Sequence, residues 1–375
     1  MSLLGSILNF TAATLRARTG AQSAPAGASR ILVIRRNRLG DMIYTVPLLH
    51  ALRRHHPTAH IAVACDPAGV PIAQSCEAVS EVIVLADGWN PWQAAYKNAA
   101  ALQDFDVVIA AKGGFDRRLA VLTRLTNAPT RIGFEPAFGA GLLYYTDPVT
   151  LPESAKDEHQ IETLLRLLQP MGMVKTTAYS VNLSLRVPEA SREFAAELRS
   201  HPPFTETPGY MLINYSSTVK LKFREEDFIA LARRILGSTN LAIGFVAAPW
   251  DQQLTHEIAM CMASKRVISL DTPGPMDLAA LLEKALVLFT PEGGAAHLAA
   301  ATDTPALVLW SEGPFNKWRS RGKRHAYVHA EHGETVVPVD RVWQALVPFL
   351  NTRTDDLEHA MENMLDPPRP PELSS

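Results

Sequence analysis

Short apolar runs alternate with longer amphipathic stretches along most of this chain. The first run, Ile31 to Arg35, leads through a glycine-containing loop into a stretch with Ile43, Val46 and Leu49 at helical spacing. A short apolar run that ends in a glycine turn before a helical pattern is typical of a buried parallel strand that feeds a helix. We therefore predict a strand, a loop and a helix in this order.

The same pattern recurs in both halves of the chain. In the amino-terminal half it predicts strands at 61–64, 82–85, 107–110 and 131–134 and a helix at 158–168. In the carboxyl-terminal half it predicts strands at 211–214, 241–246, 267–270, 286–289 and 306–310 and helices at 225–236, from 294 onward and at 341–350. Strands that alternate with helices predict a parallel sheet covered on both faces. The fold class is therefore α/β, with two such halves in succession.

The length of 375 residues exceeds what one compact core usually covers, which favours two domains. Val187-Pro188, a charged helix to Arg199 and the segment 201–203 are typical of an interdomain connection. We predict an amino-terminal segment with a linker at 1–29, α/β domains at 30–186 and 187–352, and a tail at 353–375. Prolines near the chain end predict disorder at 366–375.

The amino-terminal segment is amphipathic. Residues 2–18 carry leucines and isoleucines on one helical face, and the first basic residues, Arg16 and Arg18, follow the apolar part. This order is the reverse of a secretory signal, and no apolar run reaches the length of a membrane span. Two interpretations stay open: a reversible contact with a membrane surface, or a helix packed on the protein itself. Residues 22–29 have the composition of a flexible linker.

Charge and cysteine usage narrow the function classes. The formal net charge is −2, which does not favour nucleic-acid binding, so an anionic ligand must be met by a local basic cluster. Three cysteines without C-x-x-C spacing fit a reducing compartment. The sequence lacks a P-loop, a G-x-G-x-x-G after its first strand, H-E-x-x-H and G-x-S-x-G. Asp104-Phe105-Asp106 resembles a metal-binding D-x-D motif, but it precedes its strand, so we predict no metal there.

Candidate chemistry in the first half follows the ends of predicted strands. Arg38, Gly40 and Asp41 follow the first strand, where ligands bind in open α/β sheets. Asp41 near a helix start is either a base or a helix cap. Lys112, Arg117 and Arg118 lie in a glycine-containing loop after the strand at 107–110. They either receive an anionic substrate or form a solvated loop.

The second half offers two candidate phosphate contacts. A loop with Ser216, Ser217, Lys220 and Lys222 follows the strand at 211–214 and is either a phosphate cradle or a solvated turn. The segment 292–297 contains two glycines and two alanines at a helix start, where bare backbone N–H groups bind phosphate well. His297 in this helix either reaches a ligand or lies in the core.

These motifs together resemble glycosyltransferase family 9, the ADP-heptose:lipopolysaccharide heptosyltransferases. The resemblance rests on 31–41 with Thr45, Pro47 and Leu48, and on 290–301 with Thr304-Pro305; weaker matches are 106–109, 131–133 and 216–223. It implies a GT-B fold, with two facing doubly wound domains and the active site in the cleft between them. It also implies that the amino-terminal domain receives the acceptor and the carboxyl-terminal domain the nucleotide sugar.

The resemblance assigns roles by position. Asp41 falls on the catalytic aspartate. Because the resemblance implies that the amino-terminal domain receives the acceptor, the expected acceptor contacts are the basic and glycine positions after its strands: Arg38, Gly40, Lys112, Arg117 and Arg118. The donor and phosphate positions are Ser216, Ser217, either Lys220 or Lys222, Glu292, Gly293, Gly294, Ala295 and His297. The chain departs from the family pattern at Glu292, where aspartate is usual, at Ala296 and at Phe223-Arg224, and it lacks an acidic residue after the strand at 107–110.

The implied activity is an inverting, metal-independent transfer of a heptose from ADP-heptose to the lipopolysaccharide inner core. The expected partners are a nucleotide sugar and a lipopolysaccharide or lipid A-linked acceptor, with peripheral membrane contact, no cofactor and no nucleic acid. The expected location is cytoplasmic, at the inner membrane. Two alternatives remain: transfer from a different nucleotide sugar, or a non-catalytic GT-B protein that binds a nucleotide sugar or glycan.

Overall fold

The computed structural model describes residues 28–36, 38–85, 97–98, 101–137, 139–173, 181–217 and 222–351. The chain divides into two compact units. The first comprises the residues up to Arg186 with Asn316–Trp318, and the second comprises Val187–Phe315 with the residues from Arg319 onward. The predictions for residues 2–18, the linker up to residue 27, Lys220 and the tail at 353–375 lie outside the described residues.

The first unit is built on a six-stranded sheet of parallel strands. The strands are β1 (Arg30–Arg35), β2 (His60–Cys65), β3 (Glu81–Val84), β4 (Val107–Ala110), β5 (Thr130–Phe134) and β6 (Asp147–Val149). The α-helices are α1 (Leu39–His55), α2 (Val70–Gln74), α3 (Arg117–Leu125) and α4 (Gln160–Leu165). The spatial order is β3-β2-β1-β4-β5-β6. Its central strands are buried on both faces because helices cover both sides of the sheet.

The second unit repeats this plan. The strands are β7 (Tyr210–Asn214), β8 (Ala242–Val246), β9 (Val267–Ser269), β10 (Leu288–Pro291), β11 (Ala306–Trp310) and β12 (His325–His329). The α-helices are α5 (Glu189–Arg199), α6 (Glu225–Ser238), α7 (Gln252–Met262), α8 (Pro275–Leu282), α9 (Gly294–Ala301), α10 (Phe315–Trp318) and α11 (Val339–Asn351). The spatial order is β12-β11-β10-β7-β8-β9, with all neighbours parallel.

In both sheets the order of the strands along the chain therefore reverses at one internal pair of neighbouring strands. The pair is β1 with β4 in the first sheet and β7 with β10 in the second. In doubly wound sheets ligands bind beyond the carboxyl ends of the strands at this switch point. The predicted α/β, doubly wound architecture is confirmed, and four of the predicted site segments follow these four strands.

Asp106 acts at the opposite end of the first sheet. Its carboxylate accepts hydrogen bonds from Ser29 N (2.8 Å), Ser29 Oγ (3.0 Å) and Arg30 N (2.9 Å). The Arg30 backbone N–H is the main cause of the lowered pKa of Asp106. Asp106 thus joins the starts of β1 and β4, which is a structural role.

Several sequence predictions need correction. The helix predicted at 158–168 is α4, which begins at Gln160 because His159 Nδ1 caps its start by accepting from Ile161 N (3.2 Å). A 3-10 helix at Arg166–Met171 follows it. Arg117 and Arg118 lie in the first turn of α3 and not in a loop. The sequence pattern missed the edge strands β6 and β12, since β6 contains a proline and β12 begins and ends with histidine. No helix among the described residues combines the length and the apolar character needed to span a bilayer.

Candidate functional site

Asp41 lies in the first turn of α1, directly beyond the carboxyl end of β1. Its Oδ1 forms an ion pair with the Arg35 guanidinium, and its Oδ2 accepts a long hydrogen bond from Arg38 N (3.4 Å). The side chain keeps 20% of its surface exposed. A carboxylate has about four lone-pair positions, so Asp41 retains room to accept a proton from a bound hydroxyl.

Helix α6 has an aspartate at the position equivalent to Asp41 and allows a comparison with an aspartate that only caps its helix. Helix α6 also begins after an arginine, Arg224, and has an aspartate, Asp227, as its third residue. Asp227 accepts from Arg224 N at 2.8 Å and pairs with the Arg224 guanidinium at 3.4 Å. Asp41 instead takes its charge partner from the preceding strand. A cap does not require this partner, so capping alone does not explain the contacts of Asp41.

Arg35 connects the two central loops of the first unit. Its side chain is 2% exposed, its Nη2 holds Asp41, and its Nη1 donates to the Ala111 carbonyl beyond β4 at 2.6 Å. Burial lowers the pKa of Arg35 more than the Asp41 carboxylate raises it. Sequence reasoning had treated Arg35 only as the end of a strand. The available signal was a charged residue at the last position of an otherwise apolar run.

The loop after β4 lies at the adjacent strand end, so the structure brings Lys112 to the same edge of the sheet as Asp41. Gly113 in this loop is fixed by packing, since a Cβ there would lie 2.0 Å from Gln160 Oε1. Gln160, the first residue of α4, is 2% exposed. α4 therefore packs against this loop at Gly113. Lys112 is only partly buried.

Arg117 and Arg118 begin α3 on this same edge. The helix is capped by Asp116, whose Oδ1 accepts from Arg118 N (2.9 Å) and Leu119 N (3.0 Å). Two cations in a first turn oppose the helix dipole, at a cost of about 0.3–1 kcal/mol each. Their position is thus not explained by helix stability. It favours an anionic ligand beyond this end of the sheet.

In the second unit, the start of α9 offers backbone donors. Gly293 precedes the helix with φ of +146°, a conformation that favours glycine, and a Cβ at this residue would meet nothing within 4 Å. No side chain among the described residues caps the helix start. Gly294 and Ala295 are partly accessible, whereas His297 is buried with 8% exposure. Within the described part of the chain, this helix N-terminus is uncapped and its first residues are accessible, which suits a phosphate.

The loop after β7 is held by a network of hydroxyl and carboxylate contacts. Ser216 Oγ donates to Asp251 Oδ2 (2.6 Å) and accepts from Ala248 N (2.8 Å). Asn214 Nδ2 donates to Ser216 O (2.9 Å) and to Thr290 Oγ1 (3.0 Å), which joins the ends of β7 and β10. In this arrangement the Ser216 proton is directed at Asp251. Asp251 was not among the residues predicted from sequence.

Glu292 follows β10 and is buried with 9% exposure. Its Oε2 accepts from Ser311 N (3.3 Å), whereas its Oε1 and the Ser311 hydroxyl have no partner among the described residues. Burial raises the pKa of Glu292 to about 7, against the lowering effect of the Ser311 and Glu312 backbone N–H groups and of Lys222. The backbone carbonyl of Lys222 accepts from Val337 N (2.8 Å). Glu292 lies at the switch point, and both residues were predicted from sequence.

The raised pKa of Glu292 predicts a pH-dependent stability. An unfolded chain ionises this carboxyl near 4.5 and the folded protein near 7, so folding stability is lost as pH rises through this window. The loss amounts to roughly 3 kcal/mol for a shift of this size. Glu292→Gln should remove most of it. Urea unfolding of both proteins at pH 4.5, 6 and 7.5 measures the difference, and parallel pH profiles would contradict the assignment.

Comparisons with known proteins agree with this architecture. A family model described as glycosyltransferase family 9 (heptosyltransferase) matches residues 96–338. No curated protein sequence matches the chain at a significant level. A glycosyl transferase family 9 structure from Veillonella parvula superposes with a TM-score of 0.75 at 21% identity, covering 88% of this chain and 99% of the other.

Two Escherichia coli structures are also similar. Heptosyltransferase WaaC with ADP has a TM-score of 0.68 at 20% identity, covering 85% of this chain and 99% of its own. ADP-heptose lipopolysaccharide heptosyltransferase II has a TM-score of 0.69 at 17% identity, covering 86% and 98%. These likenesses confirm the predicted GT-B fold class, and the family match identifies the chain as a glycosyltransferase. The chain belongs to glycosyltransferase family 9, the heptosyltransferase family.

Proposed function

We propose that this protein transfers a heptose from ADP-heptose to the lipopolysaccharide inner core, with inversion at the anomeric carbon. The observation that carries the proposal is the pairing of Asp41 with a buried arginine at the switch point of its sheet. Arg35 orients the carboxylate and the capping contact accounts for only one of its oxygens. This is the geometry expected of a positioned general base.

The proposed step is a single displacement. An acceptor hydroxyl oxygen attacks the anomeric carbon of the donor, and its proton passes to the Asp41 carboxylate. The bond between that carbon and the diphosphate breaks, and ADP departs with the electron pair. Because attack and departure occur on opposite faces, the configuration inverts.

The departing diphosphate needs stabilisation as its negative charge develops. The proposed groups are the backbone N–H donors at Gly293 to Ala295 and the cation of Lys222, with Lys220 as the second candidate from sequence. Fixed donors of this kind stabilise charge without reorganising during the reaction. Glu292 Oε1 and Ser311 Oγ are fully buried and have no hydrogen-bond partner among the described residues, and a small shift of these side chains would let hydroxyls of a bound nucleotide sugar satisfy them.

The acceptor side is proposed to be Arg38, Gly40, Lys112, Arg117 and Arg118. An anionic acceptor fits these cations, because they follow the carboxyl ends of β1 and β4 at one edge of the sheet. The choice of ADP-heptose is supported by the family match and by the ADP-bound state of the similar WaaC structure.

The test is a donor screen followed by product detection. The full-length protein is incubated with ADP-heptose, and separately with UDP- and GDP-sugars, in the presence of deacylated lipopolysaccharide lacking heptose. Mass spectrometry should show one added heptose only with ADP-heptose. Addition of another sugar supports the alternative donor, which the glutamate at 292 motivates. Nucleotide-sugar binding without any product would overturn the proposed transfer.

We also propose that the protein works at the cytoplasmic face of the inner membrane, with residues 2–18 as a reversible contact. Ala28 is buried and Ser29 bonds to Asp106, so a truncation should end at residue 27. Deletion of residues 2–27 is expected to leave turnover on a soluble acceptor intact and to reduce sedimentation with anionic vesicles. Unfolding of the truncated protein, or undiminished sedimentation, would place the segment in the packed fold instead.

A further inference from the structure

Trp250 is an exposed indole at the carboxyl edge of the second sheet. It lies in a 3-10 turn, Pro249–Asp251, that follows β8, and 72% of its surface is accessible. β8 pairs with β7 up to the register Asn214↔Val246. The turn and the Ser216 loop therefore leave adjacent strands at the same edge.

The turn is rigidly attached to that loop. Ser216 Oγ contacts both Ala248 N (2.8 Å) and Asp251 Oδ2 (2.6 Å), on either side of Trp250. Asp251 N also donates to Ala248 O at 2.9 Å, which closes the turn. A large aromatic side chain on such a fixed turn loses little conformational freedom when it binds a ligand.

A single exposed hydrophobic side chain is common on protein surfaces, so the exposure of Trp250 is not by itself evidence of a ligand. Met260 on α7 is 80% exposed, but it lies eight residues beyond the start of that helix and thus well away from the sheet edge. Trp250 instead adjoins the loop that carries the proposed donor contacts. Trp250 is a candidate ligand contact because of its position at the sheet edge and not because of its exposure alone.

We propose that the Trp250 indole stacks on the base of the bound nucleotide. The inference rests on the proposed function, because it requires a nucleotide in this unit. Stacking on a tryptophan accepts any base, since every base has a π-face. Trp250 would therefore supply affinity for the nucleoside, and selection among bases would come from other groups.

The experiment measures binding of ADP, UDP and GDP to the full-length protein by calorimetry. For each nucleotide that the wild type binds, Trp250→Ala should weaken affinity by about 5- to 100-fold, the range for one base–aromatic stack. Trp250→Phe retains an aromatic face and should recover most of the affinity. Met260→Ala is the matched control and should bind as the wild type does.

The outcomes separate this inference from the proposed function. Wild-type affinity in Trp250→Ala, a loss that Trp250→Phe does not rescue, or a loss accompanied by a lowered Tm would each overturn stacking. Nucleotide binding by the wild type would survive those results. If the wild type binds none of the three nucleotides, the proposed function itself fails, and the stacking inference fails with it.

Discussion

Replacing Asp41 by asparagine is expected to lower kcat by about two to four powers of ten, the usual contribution of a general base. Asparagine keeps the shape, and its side-chain oxygen can still accept from Arg38 N in the first turn of α1, while the charge of the ion pair with Arg35 is lost. It cannot accept the hydroxyl proton. Steady-state kinetics with the heptose donor, together with thermal unfolding to verify the fold, measures the effect.

The matched control is Asp227→Asn. Asp227 has the same place in α6, three residues after an arginine, and the same backbone contact, yet lies outside the proposed site. Asp227→Asn should change kcat little. If Asp41→Asn turns over at the wild-type rate, or if both variants lose activity in proportion to lost stability, Asp41 is only a cap.

Gly294→Val is expected to weaken ADP binding on the order of 100-fold or more. Two backbone N–H bonds to a charged group contribute about 1.5–3 kcal/mol each, and a branched side chain at the helix start would hold the diphosphate away from them. Gly294 is the better position to change, because Gly293 has a positive φ that a valine would strain in any case. Calorimetry with ADP gives the affinity.

The control for this change is Gly237→Val, near the end of α6, where a Cβ meets nothing within 4 Å. It places the same side chain in a helix of the same unit without approaching the sheet edge. We expect unchanged ADP affinity there. A folded Gly294→Val protein that binds ADP as the wild type does would remove the phosphate site from α9.

Asp41 and Gly294 could both be identified from their positions in the sequence. Each follows a strand with a strong apolar pattern and lies in the first turn of a helix. The location of strand ends is readable because a buried strand needs a continuous apolar run. The central strands β4 and β11 have the bounds that the pattern predicted. The assigned roles of these residues stay predictions.

Edge strands and helix boundaries were less predictable. β6 and β12 are defined by pairing with a neighbour and not by their own composition, and β6 even contains Pro148. Proline is tolerated there because an edge strand leaves one row of N–H groups unpaired. Likewise, α3 begins at Arg117 because Asp116 caps the helix. The glycines at 113 and 114 instead led to the prediction of a loop over this segment.

The two α/β halves, the strand ends that carry the candidate chemistry and the family could be predicted from the amino-acid sequence, since these depend on local periodicity and on short motifs. Which side chains contact one another became visible only in the folded chain. Arg35 with Asp41, Asp251 with Ser216, and Ser311 with Glu292 are each brought together by pairing or packing of strands and turns. The charge at the end of the apolar run of β1 marks Arg35 itself, but the chain neighbours of one partner do not indicate which second side chain will be buried beside it.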